Sequence, residues 1–187
     1  MDGPFWVDTR APHMSADTVN SPITVIGTNK RLVPLDNLPI LGANYWSYAG
    51  KACRIRIFGR STGAASAGTY TFTYLWGTGA DANGTAIVSS PAITLVNSHT
   101  NLSWMSEVVI RCRSIGATGT LFGTGFMLWN VGAVLSTNAP IMIPASAPAA
   151  SASLDLTASN VISPQVLAAT STTNTITVHD FLFESLN

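Results

Sequence analysis

The stretch Glu107-Val-Val-Ile-Arg-Cys-Arg113 leaves this chain little choice of local structure. Val108, Ile110 and Cys112 occupy one parity and Val109, Arg111 and Arg113 the other. Successive side chains of an extended backbone point to opposite faces, so this pattern fits a strand with one apolar face. Ser114-Ile-Gly-Ala-Thr-Gly119 then supplies turn residues, and Thr120-Leu-Phe-Gly-Thr-Gly125 begins a return strand. The two halves predict a long hairpin over Leu102–Ile115 and Thr120–Val134.

The same signal recurs along the chain. In Ala52–Phe58, Cys53, Ile55 and Ile57 share one face while Arg54 and Arg56 share the other. Gly68–Trp76 places Tyr70, Phe72, Tyr74 and Trp76 on one side and Thr69, Thr71 and Thr73 on the other, until Leu75 breaks the polar row. Shorter strands are predicted at Ile23–Ile26, Thr85–Ser89, Ala92–Val96, Ser153–Leu156 and Gln165–Ala168. Arg31–Leu35 is an edge or irregular segment because Pro34 cannot donate to a ladder. Asn37–Tyr48, with Pro39, Gly42, Tyr45 and Trp46, reads as a packed crossing loop. Thr175–Phe183 closes the domain, with Ile176, Val178 and, after a register break, Leu182 as core candidates. No dozen residues show a capped 3.6 period. The expected fold is therefore all-β: a single jelly-roll-like β-sandwich, preferred to the immunoglobulin type because no Cys–Trp–Cys spacing is present.

Two regions lie outside the strand pattern. Residues 1–21 read as an extended N-terminal arm carrying Phe5 and Trp6, or as a frayed terminus; residues 22–187 form the sandwich. Residues 138–150 are too rich in proline for a helix and too apolar for a solvated linker, so they are expected to lie as a long loop on a surface.

Composition narrows the function classes. Of 187 residues only 10% are charged and the net charge is zero, against roughly 25% charged in an ordinary soluble protein. Small monomers commonly keep themselves soluble with charge; a chain without it points to burial against copies of itself or a partner. No basic excess is present to neutralise phosphates, so no nucleic-acid partner is expected. No apolar run approaches the roughly 20 residues that cross a bilayer, and the first residues lack the basic start and apolar core of a secretory signal. The two cysteines, Cys53 and Cys112, sit on apolar faces and read as buried thiols.

Catalytic, cofactor and metal sites are not expected. His13, His99 and His179 share no metal-binding spacing, and the acidic residues are scattered over different elements. Gly116, Gly119, Gly123 and Gly125 lack the lysine and following helix of a phosphate loop, and read as a tight turn plus places of close backbone approach. The arginines are more informative. Arg54 and Arg56 on one strand and Arg111 and Arg113 on another lie opposite the apolar faces, with Arg60 beside them. On one sheet they make a basic stripe, either a docking surface for carboxylates of a neighbouring subunit or a solvated face that deters edge pairing. The Tyr70–Trp76 aromatic row reads as core, with a sugar-stacking platform as the alternative.

Trp104 with its alternating strand, then Arg111-Cys-Arg-Ser-Ile-Gly-Ala-Thr-Gly-Thr120 and the glycine-containing return strand, resembles virion proteins of tailed bacteriophages. Ala49–Ile57, Gly68–Phe72 and Asn174–His179 are similar to the neighbouring strands of that pattern. The proline-rich stretch and the N-terminal arm depart from it. The resemblance implies a non-enzymatic jelly-roll protein of the capsid exterior or the tail, oligomeric and often trimeric. On this basis the expected role is capsid decoration (cement): a homotrimer assembled in the host cytoplasm that binds the major capsid protein or neighbouring virion proteins, with Phe5, Trp6, Arg54, Arg56, Arg111 and Arg113 as interface candidates. A tail-fibre or baseplate component is the second expectation, and a carbohydrate-binding module the third.

Overall fold

The computed structural model describes residues 7–8, 23–24, 29–130, 132–134, 140–169 and 174–186. Their strands are β1 (Val7–Asp8), β2 (Ile23–Thr24), β3 (Lys30–Arg31), β4 (Ala52–Thr62), β5 (Thr69–Gly77), β6 (Thr85–Ser89), β7 (Ile93–Thr94), β8 (Leu102–Ser114), β9 (Thr120–Trp129), β10 (Ile141–Ile143), β11 (Val161–Ala168) and β12 (Thr175–Ser185). Among the described residues a 3-10 turn, Leu35–Asn37, follows Pro34. All pairings are antiparallel and make two sheets. The larger runs β1-β12-β4-β8-β9-β10, with β2 also on β12; the smaller runs β3-β11-β5-β6, with β7 also on β5. The molecule is a β-sandwich, as the alternation predicts. The chain passes repeatedly between sheets: β2, β4, β8–β10 and β12 belong to the larger, β3, β5–β7 and β11 to the smaller.

The inner faces are the rows that the sequence marks. Cys53, Ile55, Ile57, Val108 and Ile110 are buried on the larger sheet, and Tyr70, Phe72, Tyr74 and Trp76 on the smaller. Phe72 packs against Trp104 across the core at 5.2 Å between ring centroids, and Trp104 stacks on Trp129 at 5.7 Å. The Tyr74 hydroxyl and Ser106 Oγ, both buried, form a 2.7 Å hydrogen bond from one sheet to the other. Burial pushes the Tyr74 phenol well above its ordinary range, which keeps it a neutral hydrogen-bonding group. Gly125 of β9 marks the expected close backbone approach, since a Cβ there would strike the Glu107 carbonyl oxygen, while a Cβ on Gly123 would stand 2.5 Å from the Val88 side chain of the opposite sheet. The aromatic row of β5 is core, so that face is closed to a sugar.

Several details differ from expectation, each for a local reason. At β12 a bulge between Val178 and Asp180 inserts one residue and flips the parity. Phe181 and Phe183 therefore enter the core, while Leu182 turns to the outer face and is only half-buried. Strand β11 extends back to Val161, through Pro164. The Pro164 carbonyl accepts from the Leu32 amide. The nitrogen of an antiparallel residue points the same way as its carbonyl, so the missing donor faces β3 and no bond to β5 is lost. Ser153–Leu156 is not a strand; Leu154 makes one isolated bridge to Gly119, and it and Leu156 are buried. The described part of the proline-rich stretch, residues 140–150, is not all loop. Its Ile141–Ile143 pairs with β9, and Ala150 bridges Phe122 farther along the same edge.

The predicted arm falls mostly outside the described residues. Its Val7–Asp8 pairs with Phe183 and Glu184 of β12, and Ile23–Thr24 pairs with the other end of that strand.

Candidate interaction surface

The outer face of the larger sheet collects most of the residues singled out in the sequence. Because β4 and β8 are neighbours, Arg54, Arg56, Arg60, Arg111 and Arg113 come onto one face. Phe5 and Trp6 lie outside the described residues. Register places each remaining arginine. Arg54 stands opposite Glu184 of β12, and its Nε donates to Glu184 Oε2 at 2.5 Å. Arg56 stands opposite Glu107 of β8, and its Nε donates to Glu107 Oε2. The Glu184 carboxylate, accepting from the guanidinium, holds the Arg54 pKa above its usual value. Arg111 and Arg113 are exposed, and the Arg113 guanidinium lies over the Phe122 ring at 5.1 Å. Two of the four arginines thus already hold carboxylates of their own chain.

Between the arginines lies an apolar surface that the sequence reading did not single out. Phe58, Met105 and Leu128 stand side by side on β4, β8 and β9. The next row is Leu182, Arg56, Glu107, Phe126 and Met142 on β12, β4, β8, β9 and β10. Phe58 and Leu128 are each 39% exposed and Met142 61%; Met105, Phe126 and Leu182 are half-buried. A signal for it exists in the sequence. Phe58 interrupts the polar parity of Arg54, Arg56 and Arg60, and Met105 and Val109 interrupt that of Glu107 and Arg111.

The outer face of the smaller sheet differs because the chain covers it. Gln165, fully buried, accepts from the Ala82 amide through Oε1 and donates to the Ala80 carbonyl through Nε2. Asp81 clasps β3, accepting from the Arg31 amide at 2.8 Å and pairing with Lys30 at 3.2 Å. Partial burial pushes the Asp81 carboxyl up, but the Arg31 amide and the Lys30 ammonium outweigh it and hold the group below its ordinary value.

Other chemistry-bearing residues are enclosed. His99 is buried, with Nε2 2.8 Å from Ser61 Oγ and Nδ1 2.6 Å from the Val96 carbonyl. Ser61 is 2% exposed, so this serine–histidine contact has no open side from which a substrate could approach. Cys53 and Cys112 are free thiols, both buried, and burial drives the Cys53 thiol far above its ordinary value. Among the described residues no group of three or more His, Cys, Asp or Glu is placed to hold a metal.

No protein-family model, no curated protein and no solved structure matches this chain. The functional reading therefore rests on the residues and their geometry.

Proposed function

We propose that this protein is a structural component of a tailed-phage virion, a capsid decoration (cement) protein that binds the outside of the head and stabilises it. The observation that carries the reading is the strand order. The row β2-β12-β4-β8 faces β3-β11-β5-β6, with β1, β7, β9 and β10 added to the two sheets, and this order supports a jelly-roll reading of the sandwich. That architecture is common in viral shells, and the hairpin of β8 and β9 carries the sequence resemblance to phage virion proteins. The charge-poor composition fits a protein that works by contact. Its mechanism is mass action: many copies, a homotrimer at each site, bury surface against the major capsid protein and so favour the assembled shell. A tail-fibre or baseplate position is the second reading and uses the same surfaces. The sugar-binding reading loses its platform, because the aromatic row of β5 is in the core.

Under this reading the N-terminal arm reaches an adjacent capsid or decoration subunit. Deleting residues 1–21 is expected to weaken binding to capsids prepared without the protein, with little change in thermal unfolding. The deletion removes the pairing of Val7–Asp8 with β12. Capsid binding that is unchanged by the deletion would remove the arm from the mechanism.

A further inference from the structure

We infer that the outer face of the larger sheet is a self-association surface that seats a second copy of this chain across a two-fold axis. Three observations on this face converge. It is apolar in contiguous rows, with Phe58, Met105 and Leu128 adjacent through the register and Phe126 and Met142 beside them. A flat, open apolar face of this kind is what partners cover. Next, the Arg56–Glu107 pair within those rows and the Arg54–Glu184 pair beside them are already formed within the chain, and Asp180 stands at the β12 end of the Phe58 row. The apolar rows can therefore lose water without leaving an embedded arginine unpaired, which is the main cost of burying such a face. The third observation selects the occupant. Arg56 and Glu107 stand opposite each other across the β4–β8 seam, so a copy turned about that seam sets each charge over its opposite. A copy of the same face presents matching apolar rows and ion pairs of alternating sign.

The register specifies how the copies meet. A two-fold axis parallel to the strands and passing between β4 and β8 exchanges residues that stand opposite each other on those strands. Phe58 of each copy then lies over Met105 of the other, and Arg56 over Glu107. Each Arg56–Glu107 pair thus becomes part of a four-charge cluster of alternating sign. Farther out, Leu182 meets Phe126. The least favourable juxtaposition is Asp180 against Leu128, towards the rim, where the carboxylate can keep its water. Five strands about 4.8 Å apart, over a run of roughly seven residues at about 3.3 Å each, give a face of about 500 Å² in projection. Side-chain relief brings that towards the ~800 Å² that each partner of a stable pair commonly buries. This two-fold contact is separate from the trimer contact of the proposed function and does not depend on it; where trimers form, it joins a subunit of one to a subunit of the next.

Sedimentation velocity of the full chain tests it. The wild-type chain is expected to pair at micromolar concentration. Phe58→Lys alone and Met105→Glu alone should each raise the dissociation constant at least about tenfold. An equimolar mixture of the two variants should regain pairing, because the axis sets the introduced ammonium against the introduced carboxylate and leaves a native Phe–Met contact on the other side. Leu182→Ala, which trims a half-buried outer side chain set over Phe126 of the other copy, should weaken the pair with little change in thermal unfolding. A wild-type chain that stays monomeric to about 100 µM, far above the affinity expected of such an area, would overturn the inference. So would an assembly unaffected by these substitutions, or folded variants that fail to complement each other.

Discussion

Gly59→Ala is expected to destabilise the sandwich by about 3 kcal/mol or more, although it adds a single methyl group. Gly59 lies on the inner face of β4, opposite Val178 and next to the bulge of β12. A Cβ there would stand 2.2 Å from the Thr177 carbonyl oxygen and 2.9 Å from the Trp104 indole. Neither neighbour can yield cheaply. Thr177 is backbone in the adjoining strand, and Trp104 is held between Phe72 and Trp129. Relief would require opening the β4–β12 ladder or unstacking the aromatic cluster. Gly42 is the matched control: a Cβ there meets nothing within 4 Å and the backbone is not left-handed. Gly42→Ala should be neutral or stabilising by up to about 1 kcal/mol, through loss of freedom in the unfolded chain. Chemical denaturation of both variants checks the pair, and equal stabilities would contradict tight packing around Gly59.

Trp76→Ala is expected to cost about 3–5 kcal/mol, lowering the melting temperature by roughly 10 °C for a domain of this size. Trp76 is 4% exposed, sits edge-on to Trp46 at 6.5 Å, and donates its Nε1 to the Asp155 carbonyl at 3.1 Å. Truncation opens a cavity between the crossing loop and β5 and strips the Asp155 carbonyl of its donor. The substitution also separates the two roles weighed for the aromatic row. A core residue loses stability, whereas a platform residue loses sugar binding and keeps its fold. Calorimetry together with a glycan array reads both. A folded, fully stable variant with lost glycan binding would contradict the packing described above.

How far the fold was legible depends on how different the two faces of each strand are. β4, β5 and β8 carry apolar residues on one parity and arginine or threonine on the other, so their inner faces could be read directly. β11 could not be read in full, because Val161, Ser163 and Gln165 on its outer parity are as buried as Ile162 and Val166 on the inner one. That strand is covered on both sides, by the core and by the Gly79–Ala82 segment, and Pro164 lowers its strand signal further. The bulge of β12 was legible as a break near His179, but the parity beyond it was not, since Phe181, Leu182 and Phe183 are all apolar.

The interaction surface was half legible for a different reason. Strand parity put the arginines on one face, yet their partners follow from register between distant segments. Arg54 and Glu184 are 130 residues apart and Arg56 and Glu107 are 51 apart, and no local pattern encodes that pairing. The same rule hides Phe58, Met105 and Leu128, because an apolar residue on a strand is first assigned to the core. Here the core is already filled by the opposite parity, and the surplus apolar side chains mark the open face.

The central claim is that this is a contact protein of a virion exterior, and labelling particles tests it most directly. Gold-labelled antibody raised against the chain, applied to intact particles of its source virus and viewed by electron microscopy, should decorate the head over its whole surface. Label confined to the tail would contradict the decoration role and favour the fibre or baseplate reading. Particles without label anywhere would contradict the virion assignment itself.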